Sequence, residues 1–151
     1  MVKLYIVVGL PGSGKSHLLR ELSKLCSGVC AEDYMASSIN DSPQFTDSRY
    51  YGDLIKDLQE GKDRVIADIE FCDTWRRIEV EQVVRQDVPE VTIEWRFFEN
   101  DPEKCIANVE RRGRKNMEKE KFKIRHLSRK YHIPACAERI PIWTSENEED
   151  I

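Results

Sequence analysis

Eight residues near the start, Gly9-Leu10-Pro11-Gly12-Ser13-Gly14-Lys15-Ser16, constrain this chain more than any others. They fit G-x-x-x-x-G-K-[ST], a loop that wraps phosphate. Glycines let the backbone turn without a Cβ and bring several N–H groups to bear on one anion. An amine at Lys15 reaches the outer phosphates of a nucleotide, and a hydroxyl at Ser16 holds Mg²⁺. The pattern has a mechanical meaning only between a strand and a helix, and both flanks comply. Lys3-Leu4-Tyr5-Ile6-Val7-Val8 is a short apolar, β-branched run, as a buried parallel strand requires. Leu18, Leu19, Leu22 and Leu25 follow at helical spacing with Arg20, Glu21 and Lys24 between them. That helix points its positive end at the same anion. A glycine turn that binds nothing is the alternative, and both flanks argue against it. His17 is counted with the nucleotide-binding stretch, but as a tolerated helix residue rather than a catalyst.

The rest of the composition bounds the chain. At 151 residues and 40% hydrophobic, it reads as one domain over 1–144 with an acidic, disordered tail at 145–151. No segment approaches the length of a membrane span, and the first strand begins so early that no signal or transit peptide is expected. Cys26, Cys30, Cys72, Cys105 and Cys136 are odd in number and form no C-x-x-C pair. That argues against a disulfide framework or a zinc site and for free thiols in a cytoplasmic protein. The histidines (His17, His126, His132) lack metal-ligand spacing.

The net charge of −4 is unevenly placed. Four acids of the tail account for it, so residues 1–144 balance. Between Lys104 and His132, eleven Lys/Arg face three acids. That surplus suits a polyphosphate site or a nucleic-acid surface. A solvated helix face is the plain alternative for its outer part.

Taken in order, Val29-Cys30-Ala31 reads as a second strand ending in Glu32-Asp33. In open parallel sheets ligands sit beyond the carboxyl ends of the strands, so Asp33 could take a proton from an attacking hydroxyl or hold Mg²⁺ through water. A cap or turn role is the alternative. Residues 35–47 read as loop, either an acceptor pocket or a connector. A helix is expected from Asp47 or Ser48 to Glu60, stopped by Gly61. Arg64–Ile69 reads as the third strand, with Asp68 closing its apolar run as a Mg²⁺-orienting carboxylate. Asp73 or Thr74 caps a helix running to about Gln86. Its early Arg76 and Arg77 hint at an anionic partner or at Asp68 or Glu70, with a surface position expected for at least one.

Val91–Phe98 is the next strand, and Asn100 or Asp101 caps a helix with Pro102 at its first position. That helix ends in Arg111-Arg112-Gly113-Arg114, where planar guanidinium forks suit phosphate in a lid over about 111–118. A basic terminus favoured by the helix dipole is the alternative. A helix from Met117 to Tyr131 carrying Phe122, Ile124 or Arg125, and Leu127 follows, then a short strand at Ile140–Trp143.

With these residues in view, the chain resembles the small P-loop kinases, nearest to the polynucleotide 5′-kinase and zeta-toxin-like group. The resemblance implies a three-layer α/β/α domain whose five-stranded parallel sheet is ordered 2-3-1-4-5. It implies ATP and Mg²⁺ as cofactors and a hydroxyl acceptor, either a nucleic-acid 5′-end or a small metabolite. Lys15 and the loop would hold ATP, with Arg111 alongside. Ser16 and Asp68 would hold the metal, Asp33 would be the general base, and Arg112 and Arg114 would neutralise the transferring group. The lid departs from the Arg-Asn pair associated with polynucleotide kinases, which leaves the acceptor open. A GTPase is disfavoured, since Asp68-Ile69-Glu70-Phe71 is not Asp-x-x-Gly and no Asn-Lys-x-Asp occurs. A nucleotide-binding module that regulates a partner without transferring anything is the remaining alternative. No partner protein is evident.

Overall fold

The computed structural model describes residues 2–24, 30–31, 51–113 and 115–144. Asp33, the 35–47 segment, Arg114 and the acidic tail lie outside them.

The sheet is built around β1 (Lys3–Val8), whose residues from Leu4 to Val8 are all buried. Successive side chains point to opposite faces, so both faces of this strand are covered, which is why its sequence is continuously apolar. β1 lies between β3 (Arg64–Ala67) and β4 (Thr92–Phe98), parallel to each, in registers such as Val7↔Ala67 and Val8↔Phe97. β2 (Cys30–Ala31) and β5 (Arg139–Ile140) add two residues each at the edges, giving the order β2-β3-β1-β4-β5. Parallel neighbours need crossovers, and helices supply them. The crossovers among the described residues carry α1 (Lys15–Ser23), α2 (Gly52–Gln59), α3 (Thr74–Asp87), and the pair α4 (Pro102–Arg112) and α5 (Met117–Lys130).

Local chemistry explains the helix limits. Asp73 accepts from the Trp75 amide to start α3, and Asp101 accepts from the Lys104 amide to start α4, with Pro102 in the first turn. Gly61 and Gly113 follow the ends of α2 and α4 with φ of 82° and 61°, the left-handed stop that glycine makes at little strain. Asn100 does not cap α4. Its amide instead donates to the carbonyls of Ser128 and Tyr131 and its oxygen accepts from the Ser128 hydroxyl, fixing the end of α5 to the end of β4.

Several expectations are corrected. Of the residues named for the helix after Met117, Phe122 is 72% exposed, as is much of the helix face around it, while Ile124 and Leu127 are buried. The last strand lies earlier than Ile140–Trp143, because it is Arg139 and Ile140 that reach Phe97 and Phe98. The third strand stops at Ala67, and a 3₁₀ turn over Ile69–Cys72 precedes α3. Arg77 is not at the surface. It donates to the carbonyls of Cys72 and His132 and sits over the Phe97 ring, inside the junction of α3 and α5. Burial depresses its pKa below the usual guanidinium value. Arg76 pairs with Glu79 and, at 3.9 Å, with Glu70.

Candidate nucleotide site

The loop after β1 is shaped by its glycines. Gly12 and Gly14 hold φ of 81° and 105°, which L side chains rarely adopt. Space forbids a side chain there too. A Cβ on Gly12 would lie 2.7 Å from the Cys105 carbonyl oxygen, and one on Gly14 would lie 2.4 Å from the Trp143 Cβ. The amide of Ser13 donates to the Leu10 carbonyl and closes the turn. The Ser13 hydroxyl is buried, without a hydrogen-bond partner among the described residues. α1 then begins at Lys15 with no side-chain cap and no acidic residue in its first turn, so no carboxylate of its own answers the positive end of the helix. A phosphate chain fits this loop: a buried hydroxyl without a partner among the described residues, a backbone closed to side chains, and a helix with no acid in its first turn.

Lys15 is buried, and its ammonium donates to the carbonyls of Gly9 at 3.1 Å and Leu10 at 2.9 Å. The side chain thus folds back across the loop it would serve. Ser16 follows in the first helical turn, half-buried. The register Val7↔Ala67 sets Asp68 beside Val8, next to the start of the loop. Asp68 is buried, and its Oδ1 accepts from the Glu70 amide at 2.8 Å, so one oxygen caps the 3₁₀ turn. Cys72 reports the same neighbourhood. Burial pushes its thiol up to about 12, with Lys15 and Arg77 opposing and Asp68 adding to the shift.

Two residues that the sequence reading did not assign to the site brace the loop. Asn108 on α4 donates through its amide to the Gly12 carbonyl at 2.8 Å and also to the Trp143 carbonyl. The Trp143 amide donates to the Ser13 carbonyl, and its ring stacks on His17 at 4.1 Å. His17 is therefore a packing partner rather than a merely tolerated helix residue. Asn108 lies 96 residues from Gly12 along the chain, a separation no local pattern reveals. Arg111 and Arg112 occupy the exposed last turn of α4. Val109, two to three residues earlier, is placed against Gly12, so the arginines stand roughly 3 to 4.5 Å further along the helix axis.

A family model described as an AAA domain matches residues 4–131. The chain belongs to this P-loop, kinase-like family. As an AAA-domain protein of that kind, it carries a nucleotide-binding module. It is also similar to an uncharacterised protein of Acanthamoeba polyphaga mimivirus, 34% identical over 115 residues, 74% of this chain and 73% of that one. Among the described residues, no helix is long and apolar enough to cross a membrane, and no group of three His, Cys, Asp or Glu side chains is placed to hold a metal ion.

Proposed function

We propose that the chain transfers the γ-phosphoryl group of ATP to a hydroxyl. What supports this most is the meeting of three features at one end of β1. They are a loop closed to side chains, the buried Lys15 at the head of α1, and the Asp68 carboxylate one strand away. In this reading the loop amides and Lys15 hold the nucleotide phosphates, with Gly9 to His17 lining them. Arg111, Arg112 and Arg114 form the lid. The cation would be held by Ser16 and by the Asp68 oxygen not used by Glu70, and it would neutralise charge on the phosphate oxygens. Asp33 takes the proton of the acceptor hydroxyl. Little covalent chemistry is asked of the protein, since positioning and charge neutralisation supply most of the rate.

Lys15 has a definite task in this scheme. Its two carbonyl acceptors hold the ammonium inside the loop, and release from them would carry it to the phosphates. The test is transfer of labelled phosphate from ATP and Mg²⁺ to a panel of acceptors: 5′-hydroxyl DNA and RNA, nucleosides and sugars. Lys15→Ala and Asp33→Asn serve as controls. Label on one acceptor that disappears in both variants supports the reading and names the substrate. ATP binding with no transfer, unchanged by Asp33→Asn, favours a regulatory module. Absence of ATP binding overturns the site.

A further inference from the structure

The outer part of the basic run singled out in the sequence, beyond Arg114, is not spent on the nucleotide site. On α5, residues Lys119, Phe122, Lys123, His126 and Lys130 fall within one arc at 100° per residue, and all are exposed. The acids are off this stripe: Glu118 and Glu120 flank it, and Lys121 turns away to pair with Glu110 on α4 at 3.1 Å. Among the described residues Lys119 and Lys123 have no carboxylate partner, and Lys130 reaches Asp73 only at 3.9 Å. In the middle of this row Phe122 is 72% exposed, its ring parallel to that of His126 within 6° and 6.2 Å away.

A solvated helix face accounts for the lysines but not for the phenylalanine, whose ring gains nothing from water. The charge rejects a basic or purely apolar partner and suits a polyanion. Among polyanions, a duplex hides its base faces, whereas a single strand offers them to an exposed ring. We infer that the outer face of α5 is a docking surface for single-stranded nucleic acid, with phosphates on Lys119, Lys123 and Lys130 and an unstacked base on Phe122. The helix gives this surface a length of roughly 20 Å. Its far end lies beside the cap of α3, where Trp75 is a second exposed ring, 57% accessible. The surface stands whether or not a phosphoryl group is transferred, because none of its residues belongs to the nucleotide site.

Fluorescence anisotropy of a labelled oligothymidylate, titrated with the full chain at several salt concentrations, reads the proposal directly. Loss of one stacked base in Phe122→Ala should weaken binding by roughly 5- to 150-fold, while Phe122→Trp should retain it. Each of Lys119→Glu and Lys123→Glu should flatten the salt dependence by at least roughly 0.7 in log–log slope. Duplex DNA should bind more weakly and be indifferent to Phe122→Ala. ATP affinity and the melting temperature should be unchanged in the variants, since Phe122 and both lysines are exposed. Three results would overturn the inference: an oligothymidylate that does not bind, binding indifferent to all these changes, or sedimentation showing that Phe122→Ala dissolves a dimer of this chain. The last would make the face a contact between copies.

Discussion

The imidazole of His17 and the indole of Trp143 lie face to face, 4.1 Å between centroids and 9° from parallel. One belongs to the first turn of the helix that follows the phosphate loop, the other to the segment after the last strand. The stack, together with the Trp143 amide on Ser13, makes the segment after β5 a wall of the loop. Trp143→Ala should therefore weaken nucleotide binding as well as lower stability by about 1–2 kcal/mol, and Trp143→Phe should restore most of both. Calorimetric titration with ATP beside a urea melt separates the two effects. Unaltered nucleotide affinity in Trp143→Ala would mean that the wall is dispensable.

Gly14 and Gly113 both have positive φ but stand in different surroundings. A Cβ on Gly113 meets nothing within 4 Å, whereas one on Gly14 collides with Trp143. Gly113→Ala should cost only the left-handed strain, about 1 kcal/mol. Gly14→Ala adds displacement of the Trp143 segment and should exceed it by about 2 kcal/mol or more. Chemical denaturation of the two variants checks the order, and equal losses would show that the segment yields freely.

Arg64 opens β3 almost fully buried and meets Asp57 at 2.7 Å and Asp53 at 3.8 Å. Removing the near carboxylate leaves a buried cation without its main partner. Asp57→Ala should thus cost about 3 kcal/mol. Asp53, whose side chain is 66% exposed, should matter by about 0.5 kcal/mol or less when replaced by alanine.

Burial raises two thiols, Cys72 and Cys105, from 9.0 to about 12. The folded chain keeps these protons where the unfolded chain releases them. Their contribution is complete below pH 9.0 and declines as the pH climbs towards about 12. The buried hydroxyls of Tyr51 and Tyr131, also raised by desolvation, act in the same sense. Melts on either side of pH 9 should show alkaline loss of stability, smaller in a Cys72→Ala, Cys105→Ala double variant relative to its own neutral value. A flat alkaline limb in the parent chain would contradict this assignment.

The elements most legible in the sequence were those whose signals are local. The apolar run of β1, the glycines of the loop, Asp73 and Asp101 as caps, and Gly61 as a stop each act within a few residues, and the structure places them as expected. What stayed hidden depends on long-range packing. A surface position was expected for at least one of Arg76 and Arg77, because helical position says nothing of the Phe97 and Tyr131 rings that receive Arg77. Nothing in the sequence set Phe122 on the outside of its helix, because hydropathy cannot tell which side of a short helix the sheet will cover. Asn108 carried no signal at all, since its two acceptors belong to Gly12 and Trp143.

The central place of β1 has a consequence for how the chain is made. Its neighbours arrive late: Leu4 pairs with Arg64 on one side and with Ile93 on the other. At a synthesis rate of roughly 5–20 residues per second, β1 waits on the order of ten seconds for β4. Until β3 emerges an apolar, β-branched strand has both edges open, and until β4 emerges it has one, the condition under which chains pair with the wrong neighbour. The phosphate loop waits longer still, because Asn108 and Trp143 are translated after β4. A nascent chain halted before these braces would display the whole phosphate-binding motif with neither of them to hold it.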